Sequence, residues 1–346
     1  MLSKGFKIVS PKTFEFDIEN IEATLDNVIV KIDYLAICKA DLRYYLGTRD
    51  KKILGLKYPM RLIHEATGIV LKDNNNEFYP GEKVVLVPNI CNCTKCIFKD
   101  KKYFIGSNYC PKAKFASSNY DGFSTECIAY PRKNIISYNN KKIKSEIAVF
   151  SELISVALAA IRRVNIKDKK IIAVWGDGIL GYILCLVLKN ISSNIKVIAI
   201  GKHKEKLEMF SADEVYLSKD KNLKKLKIDL AFEAIGGRAS EEGINEIIDV
   251  IDFGGDIVLT GVSEDYIKIN TRKILEKAVR ITGSTRSTIE DFKKAINLLE
   301  DLNFSKAINK LVLSIFEVSS ITDWYKIFDL EASNKKLGKN ILTLKI

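Results

Sequence analysis

Side chains that bind zinc occur in short motifs of this sequence. Cys38 opens a C-x-x-D motif that ends at Asp41, and His64 stands next to Glu65. Glu152 follows much later, in the segment SELI. Thiolate, imidazole and carboxylate are the ligands that catalytic zinc sites combine, and an open position on the metal lets it polarise a carbonyl group. The alternative is a cysteine that packs as a core residue and a His-Glu pair with a structural role.

A cysteine cluster with the spacing C-x-C-x2-C-x13-C is a second group of possible metal ligands. It consists of Cys91, Cys93, Cys96 and Cys110. Four thiolates suit a closed tetrahedral zinc site, and the alternative is a loop with reduced thiols and no metal. The chain has 7 cysteines, and an odd number disfavours a disulfide framework. We expect the remaining Cys127 and Cys185 to be ordinary core residues.

The segment GDGILG fits the G-x-G-x-x-G pattern of dinucleotide-binding proteins. It follows an apolar run of strand length, Ile171–Trp175, and opens a segment of helical length, Ile179–Ile191. In this context the glycines allow a tight turn, close approach to a pyrophosphate and close packing of helix on strand. The pyrophosphate then lies at the positive end of the helix. The predicted coenzyme contacts are Gly176, Gly178, Ile179, Leu180 and Gly181, and the alternative is a tight turn without a ligand.

The residues after the second strand bear on which dinucleotide binds. NAD-binding sheets place an acid at the end of that strand, ~20 residues beyond the motif, where it bonds the ribose 2′-hydroxyl. Here the strand ends at Gly201, and Lys202, His203, Lys204 and Lys206 follow. We therefore expect that no carboxylate lies there to repel a 2′-phosphate. The cations that follow the strand can pair with that phosphate, which favours NADPH. The alternative is a solvated helix start, which leaves the preference open.

The elements that must position these motifs change in character near residue 146. The first ~145 residues are predicted to form an irregular β-barrel, with strands at Val28–Tyr34, Ala66–Lys72 and Lys83–Val87. From there, strands and helices alternate, which predicts a parallel doubly wound sheet. Strands are expected again at Lys310–Ile315 and Asn340–Ile346. We therefore predict one domain from residues 1–147 and 287–346, with a dinucleotide-binding domain, 148–286, inserted into it.

Two smaller predictions concern how helices of the second half end. We expect a helix from Ala239 to Ile251 that ends at Gly254 and Gly255, because glycine tolerates a left-handed backbone. A single amphipathic helix is expected over Ile289–Leu302.

Composition and charge exclude several classes of protein. The chain has 346 residues, 47% hydrophobic and 28% charged, which indicates a globular protein rather than a disordered or fibrous one. Neither a membrane span nor a signal peptide is expected, so we predict a cytoplasmic location. The net charge of +12 is spread along the chain. Because no nucleic-acid-binding motif accompanies it, we expect a generally basic surface or a field that attracts anionic small molecules.

In this order, the motifs resemble those of the zinc-dependent medium-chain dehydrogenases over nearly the whole chain. That family combines a GroES-like β-barrel catalytic domain with a nested Rossmann domain. Within it, the sequence is most similar to the ribulose-5-phosphate reductases, also called ribitol-5-phosphate dehydrogenases, which share Ile63 where most of the family has glycine. The strings that carry the similarity are DLRYYLGTRD (41–50), LIHEATG (62–68), NYDGF (119–123), SELISVALAAIRR (151–163), WGDGILGY (175–182), FEAIGGRAS (232–240), NTRKILEK (270–277) and ITGSTRS (281–287).

The resemblance implies a role for each residue of the first motif set. Cys38, His64 and Glu152 would bind the catalytic zinc, with Glu65 as a ligand or exchanging with water, and Asp41 would orient His64. The cysteine cluster would bind a structural zinc, although the family spacing is normally C-x2-C-x2-C-x7-C.

Two departures from the family pattern affect proton transfer and substrate binding. Ala40 replaces a Ser or Thr, and Arg43 replaces a relay histidine. The proton route must therefore differ, through a water and Glu65 or Glu152. Arginine matches phosphate geometry, and the candidate ligands of a substrate phosphate are Arg43, Arg49 and Arg286, with Tyr44 and Tyr45 beside them.

The implied function is the reduction of D-ribulose 5-phosphate to D-ribitol 5-phosphate, with zinc and NADPH. The product would be used to make CDP-ribitol for teichoic acid or capsule. Alternatives are another pentitol phosphate of the xylulose or arabinitol type, an unphosphorylated polyol, or a non-catalytic NADPH-binding protein. The resemblance also implies a homodimer or tetramer and a functional link to a ribitol-phosphate cytidylyltransferase.

Overall fold

The chain divides into two compact units that the sequence interleaves. The computed structural model describes residues 1–93, 96, 98 and 105–346. One unit comprises Met1–Glu152 with Thr288–Ile346, and the other comprises Leu153–Ser287. The first unit is therefore built from both ends of the sequence.

The first unit is rich in strands, as predicted. Its strands are β1 (Leu2–Ser10), β2 (Thr13–Asn20), β3 (Asn27–Ala36), β4 (Met60–Arg61), β5 (Glu65–Lys72), β6 (Lys83–Leu86), β7 (Asn89–Ile90), β8 (Lys114–Phe115), β9 (Cys127–Pro131), β10 (Ile135–Ser137), β17 (Val312–Val318) and β18 (Lys339–Leu344). Its helices are α1 (Lys39–Tyr45), α2 (Lys51–Lys57), α3 (Ser145–Ala148), α9 (Ile289–Leu299), α10 (Leu302–Asn309) and α11 (Ile321–Ser333). Helix α4 (Ser151–Ile161) begins with the last two residues of the unit's first segment.

The largest sheet of this unit joins strands from both ends of the sequence. Its order is β10-β6-β5-β3-β18-β17, with β9 also paired to β3. Strand β18 pairs antiparallel with β3 and parallel with β17. A smaller sheet has the order β2-β1-β4. The C-terminal segment is thus a structural part of the N-terminal unit.

Aromatic packing holds the C-terminal helix α11 in this unit. Trp324 and Phe328 lie one turn apart on the helix and are fully buried. The Trp324 ring stacks on Phe6 at a centroid distance of 4.8 Å, and the Phe328 ring lies 4.9 Å from Phe14 and 5.0 Å from Tyr45. Burial of several large rings in one cluster is a major source of stability for such a unit.

The second unit is a doubly wound parallel sheet. Its strands are β11 (Ile171–Trp175), β12 (Lys196–Gly201), β13 (Glu214–Leu217), β14 (Ile228–Glu233), β15 (Ile251–Leu259) and β16 (Arg280–Gly283). Its helices are α5 (Ile179–Ile191), α6 (Lys204–Leu207), α7 (Ala239–Val250) and α8 (Thr271–Glu276). The order β13-β12-β11-β14-β15-β16, with every pair parallel, is the 3-2-1-4-5-6 order of dinucleotide-binding sheets. The predicted bounds of the first strand and of helix α5 are confirmed.

The prediction of a single helix over Ile289–Leu302 is wrong. Helix α9 ends at Leu299, and Asp301 begins a new helix by accepting a hydrogen bond from the backbone N–H of Phe304 at 2.8 Å. A carboxylate in this position satisfies a free N–H of the next helix and so favours a break. The later helix α11 was not predicted at all.

Gly254 and Gly255 do not end a helix, contrary to the prediction. Helix α7 stops at Val250, and both glycines lie inside β15. The register between β14 and β15 shifts in this segment, from Ile228 opposite Ile251 to Leu230 opposite Asp256. Gly254 has a φ of 70°, so its left-handed backbone accommodates a bulge rather than a helix end.

None of the described helices has both the length and the apolar character needed to cross a lipid bilayer.

The glycine turn before α5 generates a stability prediction. A Cβ atom on Gly181 would lie 2.0 Å from the carbonyl oxygen of Gly176, whereas a Cβ on Gly178 meets nothing within 4 Å. We expect Gly181→Ala to lower the free energy of unfolding by about 1–3 kcal/mol, because backbone must move. Gly178→Ala is the control and should change it by less than about 0.5 kcal/mol. Urea unfolding of both variants checks this, and equal stabilities would contradict it.

Candidate active site

Asp41 fixes the backbone around the first two candidate metal ligands. Its Oδ2 accepts a hydrogen bond from the Cys38 N–H at 2.9 Å, at the start of α1. Its Oδ1 accepts from Ser117 Oγ at 2.5 Å and from the Ile63 N–H at 3.1 Å, and lies 3.6 Å from His64 Nδ1. Burial raises the pKa of Asp41, but His64 and Ser117 lower it by more. Asp41 therefore stays anionic between the two motifs and faces His64.

The backbone just before His64 is strained. Ile63 is fully buried and has a φ of 71°, a region that β-branched residues rarely adopt. Its N–H donates to Asp41, and its carbonyl accepts from the Phe123 N–H at 2.8 Å. Gly122 lies against the same carbonyl, where a Cβ would approach to 2.4 Å. A glycine would adopt this backbone without strain, whereas Ile63 must be held in it by these contacts.

Cys38, His64 and Glu65, three of the four predicted metal ligands, lie close together. One ligand atom from each lies within 4.8 Å of the others. His64 and Glu65 are buried, and Glu65 Oε2 has no hydrogen-bond partner within the described part of the chain. A buried carboxylate oxygen without a donor is costly, and a metal ion would satisfy it. The donor set of sulfur, nitrogen and oxygen fits zinc.

Lys339 supplies a positive charge to this cluster and was not predicted from the sequence. Its Nζ lies 2.5 Å from Glu65 Oε1, and both side chains are almost fully buried. Burial lowers the pKa of Lys339, but the charges of Glu65 and Cys38 raise it by more. Lys339 is the first residue of β18, a mostly apolar strand. It is one of 55 basic residues in the chain. Nothing in the sequence marks this lysine apart from the others.

Glu152 is buried near the same groups but lies outside the three-residue cluster. Burial raises its pKa to about 7, and the charge of Glu65 adds to the effect, while His64 and Lys339 oppose it. Its carboxylate therefore interacts electrostatically with Glu65, His64 and Lys339. Its role as a fourth ligand stays a prediction.

Two of the three candidate phosphate ligands lie in the first unit, and the third lies in the second. Arg43 lies in α1, and the Arg49 guanidinium lies 4.3 Å above the ring of Tyr44. Tyr58 Oη donates to the carbonyl of Tyr44 at 2.5 Å and fixes that backbone. Arg286 belongs to the second unit. For each of the three arginines, a contact with the substrate phosphate stays a prediction.

The cysteine cluster is assembled within the first unit. Ligand atoms of Cys91, Cys96 and Cys110 lie within 4.8 Å of one another. Burial raises the pKa of Cys110, but the N–H of Lys112 and the thiols of Cys96, Cys91 and Cys93 lower it by more. The thiols of Cys91, Cys93 and Cys96 therefore all lie near that of Cys110, despite the unusual spacing, and the chemistry of the four fits a structural zinc.

The glycine turn lies between β11 and α5 in the second unit. Gly176 has a φ of 128° and lies against Ala234, where a Cβ would be 2.6 Å from the carbonyl oxygen. Gly178 caps α5 and is open on its outer side. The first backbone N–H groups of α5, at Ile179 and Leu180, lack partners within the helix, which suits a pyrophosphate.

A buried acid that the sequence analysis missed fixes two neighbouring loops. The carboxylate of Glu233, at the end of β14, accepts from the N–H groups of Ile235 and Gly236 at 2.9 Å each and from Gly261 at 3.0 Å. These loops follow β14 and β15 at the carboxyl edge of the sheet, where dinucleotides bind. The sequence did contain a signal for this role, because Glu233 is an acidic residue at the end of a largely apolar strand.

The expectation of no carboxylate at the end of the second strand is wrong. Asp177, the second residue of the glycine motif, reaches this position. Its Oδ2 accepts from the N–H of Lys202 at 2.7 Å and of His203 at 2.8 Å. The residues that follow β12 in sequence do not reveal this acid, because it comes from the turn after β11. Lys202 Nζ in turn lies 3.3 Å from Glu242.

Comparison with known proteins agrees with this arrangement. Residues 24–140 match the alcohol dehydrogenase GroES-like domain, and residues 180–301 match the zinc-binding dehydrogenase family. The chain is 36% identical to ribulose-5-phosphate reductase 1 of Staphylococcus aureus, over 99% of both chains. It is 33% identical to the ribulose-5-phosphate reductase of Streptococcus pneumoniae, over 98% of this chain and 97% of that protein.

A solved structure agrees over the whole chain. The crystal structure of S. aureus TarJ in complex with NADPH has a TM-score of 0.86 and 32% identity, with both chains fully covered. The predicted fold class, a GroES-like domain with a Rossmann-type parallel sheet, is confirmed.

Removal of one candidate ligand should change the metal content. We expect Cys38→Ser to contain one zinc equivalent fewer than the wild-type protein, because a hydroxyl is a much weaker zinc ligand than a thiolate. Cys127→Ala, a buried thiol on β9, is the control and should keep the wild-type content. Elemental analysis of the purified proteins measures this. Equal zinc in Cys38→Ser and wild type would contradict the site.

Loss of the buried lysine should destabilise the protein. Lys339→Met leaves Glu65 buried without its counter-charge, which costs about 3–5 kcal/mol. Lys345→Met is the control, because its ion pair with Glu317 is exposed and contributes about 0–1 kcal/mol. Urea unfolding of the metal-free proteins at pH 7 gives both values. A Lys339 variant as stable as the Lys345 variant would show that the pair does not matter.

Proposed function

The chain belongs to the zinc-binding, medium-chain alcohol dehydrogenase family, in its ribulose-5-phosphate reductase group, and from this premise we propose that it reduces D-ribulose 5-phosphate to D-ribitol 5-phosphate with NADPH. The observation that carries the proposal is full-length similarity to ribulose-5-phosphate reductases in a chain that also brings Cys38, His64 and Glu65 together. One hydride and one proton add to the C2 carbonyl of the sugar phosphate, and NADP⁺ is released.

The first unit's residues hold and balance the metal site in this proposal. When bound, zinc supplies a Lewis acid for the carbonyl oxygen, and NADPH supplies the hydride. Cys38, His64 and Glu152 are the proposed ligands, with Glu65 as a further or exchanging one. Asp41 orients His64, and Lys339 offsets the charge of Glu65. The proton passes through Glu65 or Glu152, because Ala40 and Arg43 stand where the family's usual relay residues would be.

The second unit's residues bind the coenzyme in this proposal. The turn at Gly176, Gly178 and Gly181 and the start of α5 receive the pyrophosphate. Lys202 and Lys206, after β12, attract the 2′-phosphate that distinguishes NADPH from NADH. Gly201, the last residue of β12, is a further proposed contact of the coenzyme.

Arginines of the first unit bind the phosphate of the substrate in this proposal. A guanidinium bonds a phosphate through two parallel hydrogen bonds, which orients the sugar as well as binding it. Arg49 is supported by the ring of Tyr44, and Arg43 lies on the same helix as that tyrosine. Arg286 is the third candidate. An enzyme of this kind should discriminate strongly against the unphosphorylated sugar.

Wider assignments follow from the same premise. We place the protein in the cytoplasm, as a homodimer or tetramer that binds neither nucleic acid nor membrane. Its product supplies a ribitol-phosphate cytidylyltransferase and, through CDP-ribitol, teichoic acid or capsule.

Oxidation of NADPH, followed at 340 nm, tests the reaction. D-ribulose 5-phosphate, D-xylulose 5-phosphate and D-ribulose are compared, with NADH as the coenzyme control. We expect kcat/KM to be at least 100-fold higher for ribulose 5-phosphate than for ribulose. Arg43→Gln and Arg49→Gln should raise KM for the phosphate ester about 10-fold or more, because each removes a charged hydrogen bond. Arg272→Gln, which removes an exposed arginine of the second unit, should not.

Faster turnover of xylulose 5-phosphate would keep the chemistry and replace the substrate. Equal turnover of ribulose and its phosphate would refute the phosphate site.

A further inference from the structure

The end of strand β12 carries a negative charge that comes from a different loop. Asp177 lies in the glycine turn after β11, yet its Oδ2 is 2.7 Å from the backbone nitrogen of Lys202 and 2.8 Å from that of His203. The same oxygen lies 2.9 Å from His203 Nδ1. Only 17% of the Asp177 side chain is exposed. The carboxylate is therefore held firmly at the strand end by three nitrogen atoms.

The neighbouring glycine is what admits this side chain. A Cβ atom on Gly201 would lie 2.6 Å from the Cβ of Asp177 and 2.8 Å from its Oδ2. Any larger residue at the end of β12 would push the carboxylate away. The position of the Asp177 carboxylate therefore depends on the absence of a side chain at Gly201.

The position of the acid matters because of the rule for such sheets. An acid at the end of the second strand bonds the 2′-hydroxyl of NAD and repels the 2′-phosphate of NADP. In most sheets the strand itself supplies that acid. Here the acid is Asp177, which lies in the turn after β11. The sequence of β12 and the residues after it therefore do not show that a negative charge lies at the end of this strand.

The cations nearby are themselves partly balanced. Lys202 Nζ lies 3.3 Å from Glu242 Oε2, and Lys219 Nζ lies 2.5 Å from Glu242 Oε1. Burial raises the pKa of Asp177, but the N–H groups of His203 and Lys202 lower it by more, so it stays anionic at neutral pH. The surroundings of the strand end are therefore mixed in charge, not uniformly basic.

We propose that Asp177 is a specificity-determining residue for the coenzyme, whose carboxylate opposes the 2′-phosphate and so limits the preference for NADPH over NADH. The inference rests on the proposed use of NADPH and deepens it. The preference is then a balance between the cations after β12 and one fixed carboxylate. Neutralising that carboxylate should make the enzyme more selective for NADPH.

Equilibrium binding of NADPH and NADH to the full chain tests this, by calorimetry without any sugar phosphate. Asp177→Asn keeps an oxygen that can accept the backbone N–H bonds but removes the charge. We expect the ratio of the Kd for NADH to the Kd for NADPH to rise at least 5-fold. The fragments 2′,5′-ADP and 5′-AMP should show the same change, because the effect concerns the adenosine end.

A matched control lies at the opposite end of the same strand. Asp213 Oδ2 accepts from the Val197 N–H at 2.7 Å, so Asp213→Asn also neutralises a carboxylate that is bonded to the backbone of β12. It should leave the Kd ratio within 2-fold of wild type. If Asp177→Asn fails to fold, Asp177→Ser replaces it, since a hydroxyl also accepts hydrogen bonds.

A purely structural role for Asp177 predicts a different result. Both coenzymes would then bind more weakly by the same factor, and the Kd ratio would not move, which overturns the inference. A ratio that falls would overturn it as well. Because no sugar phosphate is present, an error in the proposed substrate does not affect this measurement.

Discussion

The first unit depends on balancing negative charge inside a buried cluster. Glu65 is fully buried, and the carboxylate of Glu152 lies close enough for the two acids to interact. Lys339 meets one oxygen of Glu65, and the other has no partner in the described chain. One carboxylate oxygen thus faces a cation of the protein, and the other is free for a metal. A buried charge with one partner is tolerable, whereas a buried charge with none is not.

Carboxylates of low exposure are also stabilised in the second unit, where backbone N–H groups rather than a lysine are their partners. Glu233 is fully buried and bonds three N–H groups from two loops. Asp177 bonds two N–H groups beyond β12. Glu233 joins the loop after its own strand to the loop after β15, and Asp177 joins the turn after β11 to the end of β12. The carboxyl edge of the sheet therefore has fixed loops before any ligand arrives, which reduces the ordering cost of binding.

Local sequence patterns predicted the parts of the fold that local forces determine. The bounds of β11 and α5 are confirmed because a continuous apolar run and a glycine turn define them. The cluster of Cys38, His64 and Glu65 was predictable from ligand type. Lys339 and Asp177 were not, since each acts on residues far along the chain: 274 residues separate Lys339 from Glu65, and 25 separate Asp177 from Lys202. The bulge at Gly254 depends on strand register, which a glycine pair alone cannot reveal.

The interleaved order of the two units affects how the protein is made. All residues of the second unit leave the ribosome before β17, α11 and β18, which the first unit still needs. The 274 residues that separate Glu65 from Lys339 take roughly 14–55 s to synthesise at the usual 5–20 residues per second. For that time Glu65 exists without Lys339, and β3 lacks its neighbour β18. The main sheet of the first unit is therefore completed only after the whole second unit has been synthesised, and until then one edge of β3 stays open.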